Sequence, residues 1–70
     1  MTCYMRHMGW MFDALDLEND AGNRHRLDRA IKIALEMDPD TPCTDVWTYL
    51  KALSAEERFD LLDAVEKELA

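Results

Sequence analysis

Three side chains with metal-binding chemistry stand out: Cys3, His7 and Cys43. Cys3 and His7 are four residues apart, which places them on one face of a helix. Cys43 falls in the first turn of a later predicted helix, where the helix dipole favours a thiolate. Thiolate and imidazole are natural ligands for zinc and iron, although a closed structural zinc site needs four ligands. The sequence therefore gives one hypothesis of a zinc or iron site with an open fourth position.

The same three residues have simpler interpretations. Both cysteines can be small buried hydrophobic residues, with His7 packed on the surface. A disulfide between Cys3 and Cys43 would close a long loop and add about 4 kcal/mol by chain-entropy arithmetic. Residues 1–12 lack the pattern of a signal peptide, and no apolar run is long enough to cross a bilayer. We therefore expect a cytoplasmic protein with reduced thiols, no membrane association and no required cofactor.

The basic residues are concentrated in one segment. Residues 24–32 carry a charge of +3, whereas the rest of the chain carries −10. Arg24, Arg29 and Lys32 could contact phosphates or an acidic protein surface. Alternatively, this basic side is solvated or docks on the protein's own acidic last helix. A DNA-reading helix carries basic and amide side chains, whereas the predicted third helix offers Asp45, Thr48 and Lys51. Direct sequence-specific DNA binding is therefore not expected.

Acidic residues dominate the end of the chain, and the net charge is −7. An acidic helical surface can imitate nucleic-acid phosphates and occupy the basic groove of a partner. An acidic inhibitor of a nucleic-acid-binding complex, of the phage anti-defence type, is therefore a further alternative. Residues 13–24 do not match a calcium-binding loop. Glu18 occupies the sixth position, where glycine is needed, and Arg24 occupies the twelfth, where glutamate is needed. No catalytic triad or Gly-rich phosphate loop is present, so we expect no enzyme activity.

Apolar periodicity predicts one all-α domain over residues 1–70. Its four short helices span about 2–16, 20–37, 42–53 and 55–69. Asp38 and Pro39 should end the second helix. Thr41 is the predicted N-cap of the third helix, and Ser54 and Glu57 form a capping box that opens the fourth.

The periodicity also predicts which face of each helix is buried. Helix one has two apolar stripes, so it should contact more than one neighbouring helix. The first stripe is Tyr4, Met8, Met11 and Leu15, and the second is Cys3, His7, Trp10 and Ala14. The predicted inward face of helix two is Leu27, Ala30, Ile31, Ala34 and Leu35, widened by Ile33 and Met37. That of helix three is Val46, Tyr49, Leu50 and Leu53, and that of helix four is Phe59, Leu62, Val65 and Leu69.

The first functional hypothesis is a small non-enzymatic protein-interaction or regulatory module with an acidic surface. Aromatic residues dominate binding hot spots, which makes Tyr4, Met5, Trp10 and Trp47 candidate anchors, with Arg24, Arg29 and Lys32 as charged flanks. The partner would be another protein or a second copy that buries Trp10. Plain core packing is the alternative for each anchor. The metal-binding protein and the acidic inhibitor stay as the other hypotheses.

Overall fold

The computed structural model of the chain describes residues 4–70. Over this range the chain forms a 3₁₀ turn and four α-helices, without a strand. The turn is Met5–His7, and the helices are Gly9–Leu15 (α1), Ala21–Ala34 (α2), Cys43–Lys51 (α3) and Ala55–Leu69 (α4). The longest two helices, α2 and α4, make the main helix–helix contact. The predicted all-α class is confirmed.

The hydrophobic core takes side chains from the 3₁₀ turn and from every helix. Its buried members are Tyr4, Met5, Met8, Met11, Phe12, Leu27, Ala30, Ile31, Val46, Leu50, Leu61 and Val65. The first predicted stripe of helix one is therefore buried at Tyr4, Met8 and Met11. Burial of these apolar side chains is the main stabilising term of a domain this small.

The first predicted helix is broken at Met8, whose backbone leaves the helical region between the 3₁₀ turn and α1. Its second stripe is not buried: His7 and Ala14 are exposed, and Trp10 keeps 40% of its surface accessible. The prediction that helix one is covered on two sides is wrong for these residues, because α1 packs on the core by one face only. Cys3, the first member of that stripe, lies outside the described residues.

Helix α2 ends at Ala34, earlier than predicted from Pro39. The chain reverses at Glu36, which adopts a left-handed conformation with φ of 57°. The backbone N–H of Met37 donates to Lys32 O at 2.7 Å, and that of Glu36 donates to Ile33 O at 3.0 Å. This is the paired hydrogen-bond pattern of a Schellman motif. The helix therefore stops by backbone capping upstream of the proline.

Glycine at position 36 is expected to stabilise the protein. A residue with a Cβ has a strained backbone in the left-handed region, which costs about 1–2 kcal/mol relative to glycine. Part of that gain is offset by the greater freedom of Gly in the unfolded chain. We expect Glu36→Gly to raise the free energy of unfolding by about 1 kcal/mol, and hence the melting temperature by about 4–8 °C. The control is Glu66→Gly at an exposed helical position in the last turn of α4, which should lower stability by about 0.5–1 kcal/mol. Equal losses in both variants would contradict the capping role of position 36.

The sequence predicted the N-cap of α4 correctly but not that of α3. Pro42, not Thr41, is the N-cap of α3. The Thr41 hydroxyl is directed back to the preceding turn, where it donates to Asp38 O at 2.6 Å. The capping box of α4 is confirmed: Glu57 N donates to Ser54 Oγ at 3.2 Å, and Ser54 N donates to Glu57 Oε1 at 3.0 Å. These bonds with Ser54 hold the pKa of the Glu57 carboxyl below its ordinary value.

Two aromatic residues predicted to face the core are on the surface instead. Phe59 is 71% exposed and Tyr49 is 49% exposed. The buried residues of α4 are Leu61 and Val65, four residues apart. The inward face of α4 is therefore rotated away from Phe59, because α2 packs against the Leu61 side. Ile33, predicted to widen the face of α2, is likewise 52% exposed.

Candidate functional site

Three of the residues predicted to bind a partner are buried within the domain. Tyr4 is 2% exposed, Met5 4% and Lys32 8%. Their assignment to an interaction surface is corrected accordingly, since side chains packed inside the fold cannot anchor a partner that binds the folded protein.

A buried polar network explains the position of Tyr4 and Lys32. The Tyr4 hydroxyl donates to Asp28 Oδ1, and Lys32 Nζ lies 3.0 Å from Asp28 Oδ2. Lys32 Nζ also donates to Pro39 O at 3.1 Å. Burial raises the pKa of Tyr4 well above its ordinary value, and the hydrogen bond and charge of Asp28 act in the same direction. The network ties the N-terminal segment, α2 and the turn before α3 together, which is a structural role.

The remaining basic residues of α2 lie in different surroundings, although Arg26 and Arg29 line the same depression. Arg24 Nη1 donates to Asn19 O at 3.1 Å and to Asn19 Oδ1 at 2.9 Å, across the start of the helix. Arg29 is exposed and lines a shallow depression of about 220 Å³ with Ile33 and Leu69. The predicted basic side is therefore divided: Arg24 lies at the start of the helix, Lys32 is in a buried ion pair, and Arg29 is exposed.

Trp10 and Trp47 come together as one aromatic surface. Both line a depression of about 230 Å³, along with His7 and Arg58. The rings of His7 and Trp47 are stacked, with centroids 4.4 Å apart and planes 13° from parallel. The structure therefore joins two predicted anchors and adds His7, which the sequence had placed in a metal group.

The predicted metal group is only partly covered by the described residues. His7 is exposed against Trp47, and Cys43 is half-buried at the first position of α3. No cluster of three or more His, Cys, Asp or Glu side chains able to hold a metal occurs within residues 4–70. The zinc or iron hypothesis and the disulfide alternative both depend on Cys3, which lies outside this range, so both stay predictions.

A longer groove, which the sequence did not predict, runs between α3 and α4 and reaches the end of α2. Its larger part, about 550 Å³, is lined by the apolar residues Met37, Tyr49, Ala52 and Leu53 and edged by Asp45 and Glu57. Its smaller part, about 270 Å³, shares Tyr49, Leu53 and Glu57 and continues to Leu35, Asp60 and Ala64. Both parts are shallow and open to solvent. Because three residues line both parts, we treat them as one feature, the α3–α4 groove.

The groove exists because of how three local structures meet. The left-handed turn at Glu36 brings Met37 back beside α3, where it lines the groove. Only Ala52, Leu53 and Ser54 separate α3 from α4, so the two helices diverge from a tight corner. Tyr49 lies on the outward side of α3 and forms part of the groove wall. The sequence signals were apolar positions, among them Met37, Tyr49 and Leu53, and all were interpreted as core.

The charges at the groove are of one sign. Asp45 edges the larger part, Asp60 the smaller part, and Glu57 both. The described residues that line either part include no lysine, arginine or histidine. The arrangement is an apolar floor with carboxylates distributed along its length. It can bind an apolar surface that carries positive charge, and it has no nucleophile paired with a base.

A membrane-spanning helix would have to be longer and more apolar than any helix found in the part of the chain that the structure describes. Comparison of this chain with known protein families, with curated proteins and with solved structures found no match.

Proposed function

We propose that this protein is a non-enzymatic protein-interaction module that binds its partner through the α3–α4 groove. The observation that carries the proposal is the half-exposed Tyr49 over a continuous apolar groove. Tyrosine is enriched among binding hot spots because it combines a large apolar ring with a polar hydroxyl. An apolar centre with a polar rim is the common composition of a protein–protein interface.

Burial of the apolar surface of the groove by a partner is energetically favourable. Each apolar square ångström that a partner removes from water contributes about 25 cal/mol. Burying the exposed half of an aromatic ring thus contributes on the order of 1–2 kcal/mol, a typical hot-spot effect on truncation. Leu53, Met37 and Leu35 are already partly buried and would add the rest of the apolar contact.

The aromatic surface of Trp10 and Trp47 supports a second contact. It meets the α3–α4 groove at Leu53, which lines both features. A partner that extends beyond the groove past this corner would reach Trp10. We therefore assign the groove as the primary site and the two tryptophans as its extension.

The experiment uses site-specific photocrosslinking in the native cell. A photoreactive residue replaces Tyr49 in one variant and Phe59 in another, because Phe59 is also an exposed aromatic residue of this corner of the fold but lines neither part of the groove. We expect one defined protein to crosslink from position 49 and not from position 59.

The crosslinked protein is then purified and titrated against unmodified variants. Tyr49→Ala should weaken its affinity about tenfold or more, which corresponds to about 1.4 kcal/mol or more, whereas Phe59→Ala should leave it unchanged. The proposal is overturned if both positions crosslink alike, or if Tyr49→Ala binds as tightly as the wild type.

A further inference from the structure

The shape of the α3–α4 groove suits an elongated occupant. Its two parts share Tyr49, Leu53 and Glu57, so the apolar floor continues from Met37 to Ala64. Such a floor accepts side chains that recur on one side of a segment. An amphipathic helix presents its apolar residues in this way, at intervals of three and four, and helix-in-groove binding is a recurrent mode of peptide recognition.

The rim of the groove selects the charge of the occupant. Asp45, Glu57 and Asp60 follow one another along its length. An occupant with acidic flanks would meet like charges, which costs affinity and suppresses the wrong partner. An occupant with lysine or arginine beside its apolar face would pair with these carboxylates.

The electrostatic field of the whole protein also favours a cationic partner. The net charge is −7, and the basic segment at residues 24–32 contributes no residue to the groove. A negative potential around the groove would raise the association rate of a cationic partner and make binding sensitive to salt.

From this combination we infer that the occupant of the α3–α4 groove is a basic amphipathic helix of a partner protein. The inference rests on the proposed function, since it names the kind of partner that the same groove takes. Tyr49, Leu53 and Met37 contact the apolar face of that helix, and Asp45 and Asp60 pair with its basic flanks.

The test measures binding of synthetic helical peptides to the full chain by fluorescence anisotropy. The first peptide carries leucine on one face and lysine on the flanks. The second has glutamate in place of lysine, and the third has the composition of the first in scrambled order. The protein variants are Tyr49→Ala and the double variant Asp45→Asn with Asp60→Asn. The control with the same change in net charge is Asp13→Asn with Asp63→Asn, which alters exposed carboxylates outside the groove. Circular dichroism verifies that each variant is folded.

We expect the lysine peptide to bind the wild type more tightly than either other peptide, with an affinity that falls as salt is added. The groove double variant should bind it roughly 2- to 30-fold more weakly, as expected for the loss of two exposed ion pairs. The control double variant should bind like the wild type.

Four results would overturn the inference, and they separate it from the proposed function. Equal binding of the scrambled or glutamate peptide, or equal losses in the two double variants, excludes a basic helix while leaving a Tyr49-dependent partner in place. If Tyr49→Ala has no effect on the lysine peptide, the groove itself is not the site. If sedimentation of the protein alone shows a dimer that Asp45→Asn with Asp60→Asn dissociates, the occupant is a second copy.

Discussion

Replacing Ile31 with alanine is expected to lower the free energy of unfolding by about 2–5 kcal/mol. Ile31 is fully buried in α2, where α2 packs against α4, so the truncated side chain leaves a cavity in the centre of the core. A domain of this length is expected to have a total stability of only about 4–10 kcal/mol. Thermal unfolding monitored by circular dichroism should therefore show a fall in melting temperature of at least about 10 °C, or loss of the folded state.

The matched control is two residues along the same helix. Ile33 is 52% exposed, and Ile33→Ala removes the same atoms from a position that faces water. Its effect should stay within about 0.5 kcal/mol, as for most surface substitutions. Similar losses at both positions would mean that α2 does not present the Ile31 face to the core.

Removing the Asp28 carboxylate should give the second large effect. Asp28→Ala leaves Lys32 Nζ without its ion-pair partner and the Tyr4 hydroxyl without its acceptor. Removing one member of a buried ion pair costs about 3–5 kcal/mol. The side chains of Lys32 and Asp28 are 10% and 24% exposed, so solvent screens part of the loss and we expect about 2–3 kcal/mol. Chemical denaturation at neutral pH measures the difference.

A second Asp–Lys pair of the same spacing serves as the control. Asp63 Oδ2 lies 3.2 Å from Lys67 Nζ in α4, but these side chains are 64% and 75% exposed. Asp63→Ala makes the same chemical change with the same gain in helix propensity, and it should alter stability by less than about 0.5 kcal/mol. If Asp28→Ala were no worse than Asp63→Ala, the buried network would contribute nothing.

The candidate site could be predicted only in part. The sequence identified Trp10 and Trp47 as candidate anchors, and the structure places both on one surface. Tyr49 was assigned to the core, since an apolar residue at a helical interval has the same pattern whether it faces a neighbouring helix or the edge of a groove. Lys32 was assigned to the surface because it lies on the polar side of α2. The pattern of one helix does not reveal that Asp28 and Tyr4 meet it there.

Local interactions let the sequence determine the helical class and most helix starts. Apolar residues at intervals of three and four specify amphipathic helices, and the Ser54–Glu57 capping box acts within one turn. Which side of each helix is covered was decided by the tertiary structure. Phe59 is exposed because α2 packs against the Leu61 side of α4, and the groove beside Tyr49 is open because α3 and α4 diverge from their corner. These outcomes depend on where the neighbouring helices lie, and burial is a property of the whole packed set, not of any one segment.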